Sequence, residues 1–132
     1  MKIAFDTNIL VRALTGDDER QSEIAQAELA QAELVVLPIA ALCELVWVLA
    51  RGYGTAPQEI GEAIRRLINS ANVVVNRPAV EAGLAQLDAG GDFADGVIAY
   101  EGRWLGAEVF VSFDRQAATL MQERGESVRL LT

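Results

Sequence analysis

The 132-residue chain has no histidine, one cysteine, one lysine and three prolines, and each scarcity removes a class of chemistry. Without histidine, no ordinary side chain titrates near pH 7, so acid–base catalysis of the usual kind lacks its carrier. The single Cys43 permits no intrachain disulfide, which fits a reducing cytoplasm. With no histidine beside it, a tetrahedral zinc site has almost no ligands to draw on. Cys43 lies in an apolar stretch and reads as core rather than nucleophile. Long hydrophobic runs are also missing. The longest, 34–50, falls short of the ~20 residues that span a bilayer, and Pro38 and Glu44 interrupt it. The N-terminus meets an acid at Asp6 after a brief apolar run, so neither a signal peptide nor a membrane association is expected.

Positive charge is scarce too. Eleven basic residues face nineteen acidic ones, for a net charge of −8. That balance argues against tight, non-specific binding of nucleic acid through its phosphates. Ten of the eleven basic residues are arginines, the better bidentate phosphate ligands, so local charge has to decide.

What the sequence does hold is apolar residues, 52% of the total, in short runs separated by turn signals. The length suits a single domain, 1–132. Strands are predicted at 2–5, 34–37, 72–76, 108–112 and 127–131. Helices are predicted at 7–14, 17–32, 38–51, 57–69, 78–87, 93–105 and 115–123. Asp17, Asp18 and Glu19 sit where a helix dipole favours acids, Pro38 and Pro57 open helices, and glycines at 52, 54 and 125 close them. Short apolar strands alternating with helices predict an α/β fold with a mostly parallel sheet of about five strands, covered on both faces. In such sheets, ligands bind beyond the carboxyl ends of the strands, which is where Asp6 and Asp114 fall.

Four acids stand out. Glu44 occupies an otherwise apolar or small segment, 39–50. Its helical neighbours Ala40, Ala41, Trp47 and Val48 include no cation, and Arg51 is two turns away, roughly 10 Å along the axis. A buried carboxylate so placed would have to pair, coordinate a metal or take up a proton; a solvent-facing stripe is the plainer reading. Asp92 reads as an N-cap, which puts Asp95 in the first helical turn with a like charge and no cation on its face. Asp114 and Asp6 each follow a strand and open a helix, and either alone could be only a cap. If they converge, two carboxylates ~4 Å apart repel by about 4 kcal/mol at an effective dielectric near 20, so the cluster holds protons or a hard divalent cation. Oxygen ligands alone indicate Mg2+ or Mn2+. A metal-activated water would then supply the nucleophile that histidine cannot.

Asp6-Thr7-Asn8, the acid Glu44 within an apolar helix, Asp92-Phe93-Ala94-Asp95 and Ser112-Phe113-Asp114-Arg115 together resemble the PIN-domain nucleases, most closely the VapC-type toxins of bacterial toxin–antitoxin pairs. The resemblance covers essentially the whole chain in order and spacing. It implies a Rossmann-like three-layer fold and Mg2+- or Mn2+-dependent endonuclease action on RNA, with metal-binding catalytic acids at Asp6, Glu44, Asp95 and Asp114. Thr7, Asn8, Ser112 and Asp92 would support them. It also implies a homodimer inhibited by a cognate antitoxin protein. Gly96 departs from the alanine more often found there, and a mid-helix glycine costs about 1 kcal/mol relative to alanine. Arg12, Arg51 and Arg115 are the cations nearest the acids in sequence and could hold a substrate phosphate, or be solvated or internally paired. Trp47 and Trp104, on apolar helical stretches, read as core or interface rather than base-stacking platforms.

Two other classes compete. A PIN-fold RNA- or protein-binding module without toxin activity, or a PIN nuclease of RNA processing, would keep the fold; the presence of all four acids counts against an inactive relative. A phosphoryl-handling domain is disfavoured directly. A receiver needs a late lysine, and Lys2 is the only one; a dehalogenase-like phosphatase wants an acid two residues after Asp6, where Asn8 stands.

Overall fold

A computed structural model describes residues Met1–Thr132, which divide into two compact units, Met1–Asn76 and Arg77–Thr132. In the first unit, strand β1 (Lys2–Ala4) leads into helix α1 (Thr7–Thr15), α2 (Glu19–Gln31), β2 (Leu34–Val36) and α3 (Ile39–Trp47). A π turn at Val48–Gly52, α4 (Pro57–Ile68) and β3 (Val73–Val74) complete it. The strands run parallel in the order β1-β2-β3, with Ile3 opposite Val35 and Val36 opposite Val74. Helix α1 packs on α2 and α3, and the fully buried Leu10, Leu42, Leu45, Ile60 and Ile64 form the core. The Asn72 side-chain amide donates to the carbonyls of Leu29 and Ala32, fixing the entry to β3 against the end of α2.

The second unit begins with α5 (Arg77–Asp88) and α6 (Phe93–Trp104), and continues through β4 (Phe110–Ser112), α7 (Arg115–Glu123) and β5 (Val128–Leu130). Strands β4 and β5 pair in parallel, so every strand pairing in the protein is parallel. The ladders number three strands and two. Helices α5 and α6 approach closely because glycines line the contact. A Cβ on Gly83 would come within 2.6 Å of the Phe93 ring, and one on Gly96 would strike the Ala82 carbonyl oxygen. Gly96 is therefore a packing requirement of this hairpin rather than a weak point in a helix.

All five expected strands and seven expected helices form, the strands expected at 108–112 and 127–131 shortened to three residues each, with three further local differences. The helix expected to begin at Asp17 begins at Glu19, with Asp18 as its N-cap accepting from the Gln21 amide. The strand expected over 72–76 shortens to two residues. The helix expected to run unbroken to Arg51 is α-helical only to Trp47 and then widens into the π turn. No helix is long and apolar enough to cross a membrane.

Candidate active site

In the first unit the relevant acids are Asp6 and Glu44. Asp6 leaves β1 and caps α1, its side chain accepting from the Ile9 amide at 3.2 Å. The cap uses Oδ1, one of two carboxylate oxygens. The next residue, Thr7, donates its hydroxyl to Glu44 Oε2 at 3.0 Å across 37 residues of sequence. The start of α1 therefore orients the carboxylate on α3, an arrangement with no signal in the sequence beyond the adjacency of Thr7 to Asp6. Asn8 is exposed on the next position of α1.

Glu44 departs from expectation in one respect: it is exposed, not buried. Helix α3 turns Leu42, Leu45 and Val46 inward, whereas Ala40, Glu44 and Trp47 line its outer face. The apolar surroundings of Glu44 in sequence are partly surface residues, so the desolvation argument for it fails. Trp47 and Trp104 are likewise not core, being 61% and 81% exposed.

In the second unit, Asp92, Asp95 and Asp114 share one electrostatic neighbourhood. Asp92 caps α6 through the Ala94 amide, and Asp114 caps α7 through the Ala117 amide at 3.1 Å. Ser112 accepts from the Asp114 backbone N–H at 2.9 Å and so shapes the turn that presents Asp114. Asp95, half-buried in the first turn of α6, has its carboxyl pushed above the usual range. Burial is the largest cause, followed by the negative charges of Asp92 and Asp114. Neither unit by itself brings three or more ligating side chains into a group that could hold a metal ion.

The arginines divide. Arg12 is paired with Asp17 at 3.0 Å, in contact with solvent. Asp17 also accepts from Tyr53 at 2.7 Å and Thr15 at 2.9 Å, joining the end of α1 to the segment after the π turn. This hub was not foreseen; the placement of Asp17 before a helix suggested only a dipole role. Arg51 and Arg115 are exposed and form no salt bridge.

In each unit the donors are oxygen only: the Asp6 and Glu44 carboxylates with the Thr7 hydroxyl in the first, and the Asp92, Asp95 and Asp114 carboxylates with the Ser112 hydroxyl in the second. That chemistry suits a hard divalent cation and not a soft or tetrahedral one. The crowding of like charges around Asp95 is what such a cation would relieve. The family model described as the PIN domain matches residues 3–120. No curated protein matches the sequence.

Proposed function

Since the chain belongs to the PIN-domain family, whose fold is a three-layer α/β fold of nuclease type, we propose that it is a metal-dependent endoribonuclease and the toxin component of a type II toxin–antitoxin pair. In this reading residues 1–132 act as one cytoplasmic PIN domain, a homodimer that a cognate antitoxin protein inhibits. Asp6, Glu44, Asp95 and Asp114 are the acids on which cleavage depends. The observation that carries the reading is Asp95: a half-buried carboxyl in the first turn of α6 on which the negative charges of Asp92 and Asp114 act, with no cation among the groups acting on it. Such crowding is unfavourable for stability and persists at sites that use it.

The roles of the residues follow from their contacts. Thr7 fixes one oxygen of Glu44 and leaves the other free to accept or coordinate. Ser112 and the α7 cap hold Asp114 at the strand–helix junction, and the Asp92 cap holds the start of α6 from which Asp95 projects. When bound, Mg2+ or Mn2+ would supply an activated water and neutralise charge on the scissile phosphate. Arg51 and Arg115, free of internal partners, are the first cations available to a phosphate, ahead of Arg12 in its exposed pair with Asp17.

The test is direct. Chelation with EDTA should stop RNA cleavage, and added Mg2+ or Mn2+ should restore it. Asp6→Asn and Glu44→Gln should each abolish turnover with little change in melting temperature, because Asn can still cap α1, Gln can still accept from Thr7, and both positions are exposed. Wild-type turnover in either variant removes that residue from the set. Induced expression should arrest growth, and co-expression of the neighbouring open reading frame should relieve the arrest; arrest without relief removes the toxin–antitoxin assignment while leaving the nuclease intact.

A further inference from the structure

An acidic enzyme that acts on RNA needs affinity from a source other than phosphate pairing. The net charge is −8, and Arg12 is already engaged by Asp17. Counterion release by cations supplies most non-specific affinity for nucleic acid. Stacking of bases on an aromatic ring supplies affinity without charge.

Helix α3 carries one such ring in a suitable place. Ala40, Glu44, Trp47 and Arg51 follow one another at intervals of four, three and four residues, and all four are exposed. They form a solvent-facing stripe along one side of α3 and its continuation. Neighbours at i and i+3 on a helix have Cβ atoms about 5–6 Å apart, so the Trp47 indole stands beside Glu44. Thr7 holds the Glu44 carboxylate from α1, which fixes the other half of that geometry. Directly after Trp47 the helix widens into the π turn, a feature frequent at functional sites, and that turn presents the unpaired Arg51. Trp104 does not offer the same arrangement, because it lies nine residues beyond Asp95, roughly 13 Å along α6.

We propose that Trp47 is the stacking platform for a nucleobase of single-stranded RNA, holding a nucleotide beside Glu44 with Arg51 toward its phosphate. The inference rests on the ribonuclease reading and adds a positioning residue to it: a base free of its pairing partner can leave its neighbours and lie on the Trp47 face. Every base has such a face, so the contact discriminates paired from unpaired strands more than one base from another. Stacking is equal in the ground and transition states, so its loss appears in KM rather than kcat.

The experiment has two arms. In a Trp104→Phe background, Trp47 is the only tryptophan, and its fluorescence is titrated in EDTA, where strands stay intact. An unpaired RNA oligonucleotide should quench it, and an abasic strand of equal length and charge should not. In the second arm, Trp47→Ala should raise KM on unpaired RNA by about tenfold to a hundredfold with kcat little changed, and Trp47→Phe should recover most of the loss. Equal quenching by both strands, or an unchanged KM in Trp47→Ala at a wild-type melting temperature, overturns the proposal. A Trp47→Ala protein that loses self-association or antitoxin binding while keeping its KM also overturns it, assigning the ring to a protein interface. Failure of the wild-type protein to cleave any RNA with Mg2+ or Mn2+ strikes the ribonuclease reading instead.

Discussion

Asp95 and Asp17 lie at opposite ends of carboxylate behaviour, and their pH dependences have opposite signs. Burial, then Asp92 and Asp114, raise the Asp95 pKa above 3.8. A carboxyl raised on folding contributes stability while protonated, and that contribution is lost as pH climbs through the folded value. Asp95→Asn should therefore melt at a higher temperature than wild type at pH 7, by a small margin since the group is only half-buried, while losing cleavage. Below about pH 3.8 the difference should vanish. A lower melting temperature for the variant at pH 7 would mean that the carboxylate supports the fold. Asp17 is lowered to about 2, first by the Tyr53 hydroxyl, then by Thr15, with Arg12 adding to both against the opposing effect of burial. Its contribution is present above pH 3.8 and lost as pH falls through about 2. The deficit of Tyr53→Phe in chemical denaturation should be full at neutral pH and gone near pH 2; a deficit that persists there would be one of packing. Asp6, Asp92 and Asp114 were legible as caps because a short polar residue between strand and helix has few other uses. The exposure of Glu44 was not, because hydropathy counts Ala40 and Trp47 as core whichever way they face.

Among the elements, the α5–α6 hairpin shows most clearly where sequence rules and packing diverge. Propensity alone makes Gly96→Ala a gain of about 1 kcal/mol. The methyl would meet the Ala82 carbonyl oxygen, and Gln86 Cβ at 2.9 Å, so the helices would have to part. Overpacking of this kind costs roughly 1–3 kcal/mol, enough to reverse the sign. Gly96→Ala should lower the urea midpoint; an increase would show that the hairpin has slack. Helix and strand positions were otherwise legible from periodicity and from glycine and proline punctuation. The π turn was not, because nothing in Val48-Leu49-Ala50-Arg51-Gly52 distinguishes a wide turn from an ordinary one. A local backbone bond follows it, the Thr55 amide donating to the Leu49 carbonyl at 2.9 Å.

At the scale of the whole molecule, parallel pairing was legible because two-faced burial makes strands short, apolar and separated by helices. The family match extends across both compact units, so the sequence pattern belongs to neither alone. Charge is the molecular property with the clearest consequence. Arg12, Arg77, Arg103 and Arg124 are all engaged in ion pairs, and the last two converge on Glu126. With four of the ten arginines so engaged and Arg51 the one cation on the Trp47 stripe, the logarithm of RNA affinity should fall with the logarithm of salt at a slope of about −1, against −0.7 per phosphate contact on a single strand. Filter binding from 50 to 300 mM salt, a range of about sixfold, measures it. A slope steeper than about −4 would reveal a basic surface that these pairings conceal.

The wide turn after Trp47 accommodates one more residue per hydrogen-bonded loop than the helix before it. Deleting Ala50 would remove that surplus residue and let the segment relax to regular winding, so what lies downstream keeps close to its present orientation. Tyr53 would still reach Asp17, and only the path from Trp47 to Arg51 would shorten. A frame-preserving deletion of one codon thus edits the bulge and spares the frame around it. Its expected product is a protein of near-native helicity and melting temperature whose guanidinium sits at a new distance from the indole.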